Sequence, residues 1–329
     1  MHHRRLWFGD DRPLDIGSLR LLQAVAEHGS LTGAAHAIGI SQPAASQHVR
    51  RLERRVGTAL VERAGRAVRL TPAGAALARH GDTIGATLRA ALLEVEALAG
   101  IRAGVVRLAT FPSSTATLVP RALAMLRQDH PGLTVRLVEA EPPESLALLR
   151  SGECDVVLAF SYAGLDDDAG ALADGAADAA DDAPGLVRTP LIDDVATVVL
   201  AHDHPLAGQS RLHLSDLAQE EWIAGCPRCR DHLLRAARAA AFSPDVSFAT
   251  DDYSAVLGLV AAGLGVALVP GLVRPVAERH PGVAVRDVTG VSVRRVHAAT
   301  SADLMRVPAV AATVAALREA AAEFRRPLG

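Results

Sequence analysis

Between two segments of helical apolar spacing stands Gly39-Ile40-Ser41, and this junction constrains the start of the chain more than any other feature. Glycine supplies a positive φ for a tight turn at little steric cost. Ser41 is an N-cap residue whose hydroxyl accepts an orphaned amide of the following helix, and Pro43 is tolerated in a first turn. Upstream, Leu19, Leu22 and Ala26 recur at helical spacing, then Leu31, Ala34, Ala35 and Ile38; downstream, Ala45, Val49, Leu52 and Val56 do so. The pattern predicts helix, tight turn, helix. With the downstream apolar residues turned inward, Gln42, Ser46, Gln47, Arg50 and Arg54 face out. Glutamine can bond adenine bidentately, arginine can bond guanine, and serine suits base edges or phosphate. The bland alternative is a solvated polar face on an ordinary helical hairpin; turn, cap and residue types together favour DNA.

The neighbouring segments extend this reading. Residues 58–63 and 68–70 read as two short strands around a Gly65-containing turn, a β-hairpin wing. Arg63, Arg66 and Arg69 would lie along a phosphate backbone or in a minor groove. Thr71-Pro72 then opens a long helix that ends at Gly100. In it Ile84, Leu88, Ala91, Val95 and Leu98 form a 4-3-4-3 seam for another helix, with Leu77 one heptad earlier. Residues 1–75 hold eleven arginines against six acidic residues, net +5, and the rest of the chain is net −8. A basic head on an acidic body is what nucleic-acid binding by the head requires.

From residue 104 strands and helices alternate. Strands are expected at 105–109, 133–138, 155–160, 191–201, 222–225, 246–249, 266–269 and 293–299, with helices between, which implies α/β architecture with a largely parallel sheet. Residues 163–184 hold seven Asp and no basic residue and read as a solvated acidic loop. Asp166-Asp167-Asp168 has no EF-hand spacing, so no metal is expected there.

Composition closes off other classes. Half of the 329 residues are hydrophobic and 22% are charged, which excludes wholesale disorder. Three cysteines exclude a disulfide scaffold and fit a reducing, cytoplasmic setting. The N-terminal residues lack a signal-peptide apolar core. The most apolar stretch, 253–270, is too short for a bilayer and is cut by Gly258, Gly263 and Gly265, so no membrane partner is expected. An enzyme is not expected either. Gly263-x-Gly265-x-x-Leu268 lacks the third glycine of a dinucleotide fingerprint, and neither G-x-S-x-G nor H-E-x-x-H occurs. A plain solute-binding protein is opposed by the basic head and the missing export signal.

These residues amount to a family pattern. The stretch from Leu19 to Gly74 resembles the N-terminal domain of LysR-type transcriptional regulators. The resemblance rests on Gly29-Ser30-Leu31-Thr32-Gly33-Ala34-Ala35, Ile40-Ser41-Gln42-Pro43-Ala44-Ala45-Ser46, Arg51-Leu52-Glu53 and Leu70-Thr71-Pro72-Ala73-Gly74. The remainder is similar to the family's periplasmic-binding-protein-like effector domain through Gly152-Glu153-Cys154-Asp155, His204-Pro205-Leu206-Ala207 and the run from Gly263 to Pro270. Gly33 and Val61 depart from the family's usual residues. The resemblance implies an N-terminal extension 1–14 and a winged helix-turn-helix DNA-binding domain 15–71. A linker and dimerisation helix 72–100 follows, then an effector domain 101–329, with lobe I about 101–162 and 270–329 and lobe II about 185–269. It implies double-stranded DNA, a small-molecule effector, a second copy through 72–99, a homotetramer and RNA polymerase as partners, with no other cofactor. Ser30 and Thr32 would contact phosphate, and Ser41, Gln42, Pro43, Ser46, Gln47, Arg50 and Arg54 would lie at the major groove. Arg63 and Arg66 would lie on the wing.

The effector would sit between the lobes at strand ends. Thr110, Ser113 and Ser114 follow the first strand and open a helix, where hydroxyls and free amides would hold an anion. Phe160, Ser161, His202, Cys226, Thr250 and Asp251 complete the expected rim. His202 with His204 forms H-x-H, but His204 belongs to the family's His-Pro-Leu pattern, so no metal is assigned. Cys226 and Cys229 are read as rim residues, since nothing downstream of Cys229 is cysteine and the family's peroxide sensors use a second, later one. The alternative is a redox-responsive regulator switched by this pair, whose thiol pKa a helix N-terminus with Arg228 and Arg230 would lower. Cys154 is expected in the core.

Overall fold

The computed structural model describes residues 14–64, 67–98, 104–162 and 186–324, in two units that divide within the long helix near residue 92. The expected N-terminal extension through residue 13, Arg66, the acidic loop and the end of the long helix near Gly100 lie outside the described residues.

The first unit holds α1 (Ile16–His28), α2 (Leu31–Ala37), α3 (Gln42–Val56), β1 (Val61–Ala64), β2 (Ala67–Leu70) and the long α4 (Pro72–Leu98). Its helices begin and end where local chemistry directs. Ser30 caps α2 by accepting the Gly33 amide at 3.0 Å, and Ser41 caps α3 by accepting the Ala44 amide at 3.3 Å. Gly39 carries the turn at φ +73°. Leu21, Ala24, Val25, Ala34, Ala35, Ala45 and Val49 form one core cluster, and Leu22, Leu52, Leu60 and Ala78 a second. Ala26 and Val56 are exposed rather than inward, at the outer edges of the helical stripes. Leu77 packs against the second cluster and so leaves the seam to residues further along.

The family motifs have local structural duties. The Glu53 carboxylate accepts the Leu60 and Val61 amides at 2.9 and 3.2 Å, tying the end of α3 to the wing. The Thr71 hydroxyl donates to the Ala59 carbonyl at 2.8 Å and accepts the Gly74 amide at 3.1 Å. A Cβ at Gly74 would collide with the Leu60 carbonyl, so glycine is required by space.

The second unit contains β3 (Val105–Thr110), α5 (Pro112–Thr115), α6 (Leu118–Asp129), β4 (Thr134–Glu139), α7 (Glu144–Arg150), β5 (Val156–Tyr162) and β6 (Leu186–Asp194). Then come β7 (Thr197–Ala201), β8 (Arg211–His213), β9 (Glu221–Ala224), α8 (Pro227–Ala239), β10 (Asp245–Ala249), α9 (Tyr253–Ala261) and β11 (Val266–Val269). It ends with α10 (Arg274–Ala277), β12 (Val283–Thr289), β13 (Arg294–Ser301), α11 (Ala302–Met305) and α12 (Pro308–Ala322). Five strands form one sheet in the order β4-β3-β5-β13-β6, and six form another in the order β10-β9-β11-β7-β12-β8. The Gly-Glu-Cys-Asp motif joins strands of the first sheet. The buried Asp155 carboxylate accepts the Arg107 amide at 2.8 Å and its guanidinium at 2.7 Å, and Cys154 is buried as expected.

Two expectations need correction. The lobes divide at 194–197 and 289–294, not at 185 and 270. β6 pairs with β13 in the first sheet, while β7 pairs with β11 and β12 in the second. The first crossing falls inside the stretch 191–201, expected as one strand, with Asp193 and Asp194 just before it. The sheets are also mixed rather than largely parallel. Each strand that follows a crossing runs antiparallel to its neighbours: β13 to β5 and β6, and β7 to β11 and β12.

Candidate DNA interface and interlobe site

The capped start of α3 sets the first surface. Gln42, Pro43, Gln47, Arg50 and Arg54 are exposed and Ser46 is half-buried, while Ala45, Val49 and Leu52 are buried on the opposite side. Gln42 Nε2 donates to Ser46 Oγ at 3.0 Å, one turn along the helix. Ser30 and Ser41 use their hydroxyl oxygens as caps, and Thr32 is exposed beside the first of them. Arg63 is exposed on β1 and Arg69 on β2, which pair in antiparallel register. Arg51, missed by the sequence reading because it lies one residue off the chosen stripe, is exposed on α3 as well. The surface thus combines bidentate amide and guanidinium groups with cations on an adjoining hairpin, the chemistry needed for base edges and phosphates respectively.

In the second unit the expected rim residues separate. Thr110, Ser113 and Ser114 are fully buried, and their side chains are committed internally. Thr110 Oγ1 pairs with Ser114 Oγ, Ser114 donates to the Phe111 carbonyl at 2.9 Å, and Ser113 accepts from Arg294 at 3.0 Å. They are not the open anion site expected of them, and α5 is a single turn of four residues. His202 lies away from the crossings. β7 begins at Thr197 beside them and runs antiparallel to β11, so its end at Ala201, paired with Val283, faces the other way. His204 Nδ1 accepts the Leu206 amide at 3.1 Å, a capping role. Ser161 alternates away from Phe160 and Tyr162, as successive strand residues do. It lines a separate cavity of about 910 Å³ with Asp193, Thr197 and Arg295. Thr250 Oγ1 accepts the Asp252 amide at 3.2 Å, and Asp251 is exposed. Among the described residues no group of three His, Cys, Asp or Glu side chains is placed to hold a metal ion.

Phe160 and Cys226 belong to one chain of contacts through Tyr162 and Cys229, in company the sequence reading missed. Arg294 opens β13 and is buried; its Nε donates to the buried Asp194 carboxylate at 2.8 Å. Its guanidinium lies 4.8 Å from the Phe160 ring centroid and 5.0 Å from that of Phe111. Burial opposes the charge, but Asp194 together with Tyr162, Tyr253 and Cys229 outweighs it and holds Arg294 protonated.

Beside this ion pair, Cys226 caps α8 and Cys229 sits in its first turn. Cys226 Sγ accepts the Cys229 amide at 3.4 Å, the two sulfurs are 2.9 Å apart, and Tyr162 Oη donates to Cys229 Sγ at 3.7 Å. The Cys226 thiol hydrogen bond lowers the Cys229 pKa against the cost of burial, and Arg294 adds to the lowering. The same hydrogen bond, with burial and the neighbouring negative charge, pushes Cys226 up. Arg228, one of the cations expected to act on the thiols, instead lies 5.6 Å over Phe160. His232 stacks on Tyr162 with ring centroids 4.0 Å apart, and burial, then Arg235 and Arg294, hold it neutral with a pKa of about 4. Cys226 is buried and Cys229 half-buried as whole residues.

A capped recognition helix with a wing, joined by a long helix to a two-lobed α/β unit, defines a DNA-binding regulator with a separate signal-receiving part. Family comparison makes this specific: the chain belongs to the LysR family of transcriptional regulators. Residues 16–75 match the bacterial regulatory helix-turn-helix protein, lysR family, and residues 99–322 the LysR substrate binding domain. The chain is 33% identical over 270 residues to a probable hydrogen peroxide-inducible genes activator of Mycobacterium avium, covering 79% of each. It is 32% identical over 210 residues to the RuBisCO operon transcriptional regulator of Allochromatium vinosum, covering 64% and 63%. A cysteine mutant of Corynebacterium glutamicum OxyR has a similar structure, with TM-score 0.57, 28% identity and coverage of 95% and 93%. Among the described residues no helix is long and apolar enough to cross a membrane.

Proposed function

We propose that this regulator receives a small-molecule signal between the lobes of its second unit and answers with altered operator binding, and that the signal is an oxidant acting on Cys226 and Cys229. The observation that carries this reading is the 2.9 Å approach of the two sulfurs beside Arg294 and Tyr162. A disulfide needs about 2.05 Å, so closure is a sub-ångström step. A thiol whose pKa is lowered by a second thiol touching it is the arrangement of a redox-responsive pair. The missing downstream cysteine no longer counts against it, because the resolving thiol lies upstream at the helix cap. The name of the Mycobacterium relative, a probable hydrogen peroxide-inducible genes activator, agrees with a peroxide-type signal. Mild hydrogen peroxide should remove two hydrogens from the reduced protein, joining Cys226 to Cys229, and shift its DNA footprint; Cys229→Ser should show neither change. An unchanged mass together with an unchanged footprint would remove the oxidant and leave an unidentified ligand of the cleft as the signal.

The DNA-bound form is proposed to be a homodimer through α4. Ile84, Leu88, Leu92 and Val95 are 45%, 43%, 51% and 63% exposed, an apolar stripe down one side of the helix. Such a stripe on so long a helix is what a partner helix covers. Two-fold symmetry then calls for half-sites about one DNA turn apart. Leu88→Asp with Leu92→Asp should yield monomers at micromolar concentration in analytical ultracentrifugation, with specific DNA binding abolished. A variant that still sediments as the wild type would place the interface elsewhere.

A further inference from the structure

We propose that the cavity lined by Ser161 and Arg295 is a second binding site, which takes a small dicarboxylate between the two lobes. The proposal stands apart from the oxidant reading above. Strand register builds the site. On the first sheet, Ser161 of β5 and Asp193 of β6 flank Arg295 of β13 as register partners. On the second, Thr197 of β7 and Arg211 of β8 flank Asp287 of β12 in the same way. Register partners place their side chains on one face of a sheet, and all six residues line the cavity of about 910 Å³. Each lobe thus brings a hydroxyl, a guanidinium and a carboxylate to one space. Successive strand residues face opposite ways, so Arg294 serves the side of Phe160 and the thiols while Arg295 serves this one. The volume lies within the range of about 300–1,000 Å³ usual for small-molecule sites.

Two observations select the ligand. Thr197 is 5% exposed, and its Oγ1 is buried with no hydrogen-bond partner. A buried hydroxyl left unpaired is costly, and an acceptor arriving in the cavity relieves that cost. The charge of the lining gives the sign. Four arginines and three aspartates line the cavity, and Asp194 is already neutralised by Arg294 from outside the lining, which leaves an excess of two positive charges. Arg274 and Asp287 satisfy each other at 2.5 Å. Arg211 and Arg295, one from each lobe, make no ion pair among the described residues. The planar fork of a guanidinium matches a carboxylate. One carboxylate on each arginine, with Thr197 donating to the ligand, makes the ligand a dianion with an acidic group at either end. Held from both sheets, it fixes the lobes relative to each other and touches neither thiol.

The test is isothermal titration calorimetry of the full-length reduced protein at constant ionic strength with malonate, succinate, glutarate and acetate. At least one dicarboxylate should bind about tenfold or more tightly than acetate. Arg295→Gln and Arg211→Gln should each weaken that binding by about 10-fold to 100-fold, the range for a hydrogen bond to a charged group. Thr197→Val should weaken it by about 3-fold to 10-fold, the range for a neutral one. The same variant without ligand should melt at or above the wild-type temperature, because an unpaired buried hydroxyl has been removed. Cys229→Ser should bind as the wild type does. Dicarboxylates that bind no better than acetate overturn the proposal. Unchanged affinity in both arginine variants overturns it too, since the anion is then held elsewhere. A lower melting temperature for ligand-free Thr197→Val also counts against it, because it marks a structural role for the hydroxyl.

Discussion

Replacing Gln42 and Arg50 together by alanine should weaken binding to a cognate operator by about 30-fold to 10⁴-fold per half-site, since each bidentate bond to a base is worth about 1–3 kcal/mol of discrimination. Both side chains are exposed on α3 and neither contributes to a core cluster. Within the helix the double substitution removes the exposed 3.0 Å hydrogen bond from Gln42 to Ser46. Alanine is a good helix former, so circular dichroism and thermal melting should change little. The measurement is a fluorescence anisotropy titration at fixed salt, against an operator found by footprinting and against scrambled duplex. Affinity and sequence choice should both fall toward the non-specific level. A folded double variant that binds and selects as the wild type does would remove the recognition role of α3.

The second large effect is expected in the effector unit. Arg294→Ala should destabilise it by about 3–5 kcal/mol, the usual cost of removing one partner of a buried ion pair. The cost arises because Asp194 is only 3% exposed and would keep a buried charge, relieved by the Leu272 amide at 2.8 Å alone. Ser113 would be deprived of its Arg294 donor, and two aromatic rings of the cation between them. Lysine should not restore stability, since one ammonium cannot reproduce a planar group held between Asp194, Ser113 and two rings. Arg294→Met combined with Asp194→Leu should recover part of the loss, because no charge is left unpaired. Urea unfolding of the three variants checks this, and a loss below about 1 kcal/mol for Arg294→Ala would contradict it. The same substitution removes a cation that lowers the Cys229 pKa. The thiol pKa should therefore rise, so less thiolate is present at neutral pH and the pH at which peroxide reacts fastest moves upward.

The head and the rim differ sharply in how far they could be read in advance. In the head, each decisive interaction spans a few residues: Ser41 to Ala44, Thr71 to Gly74, Gly39 in its own turn. Caps and turns of this kind depend on local backbone geometry, so residue types in order are enough to place them, and the exposed side of α3 follows from the buried one. At the rim the expected hydroxyls turned out to be buried and paired, His202 fell at the wrong end of β7, and Ser161 faced another cavity. Each misplacement is tertiary: the hydroxyls are taken by one another and by Arg294, Ser161 lies on the other face of its strand, and His202 follows from the direction of β7 relative to its neighbours, which hydropathy does not record.

Residue order by itself determined the DNA-binding head, the long apolar-striped helix and the alternation of strands and helices, because short-range hydrogen bonds and periodic burial specify each. Only the tertiary structure decided what surrounds the two thiols. Arg294 and Asp194 are 100 residues apart in the chain, and Tyr162 and Cys229 come from two further elements, β5 and α8. They meet where the chain crosses between the two sheets, and no local pattern encodes which buried charge will find which partner there.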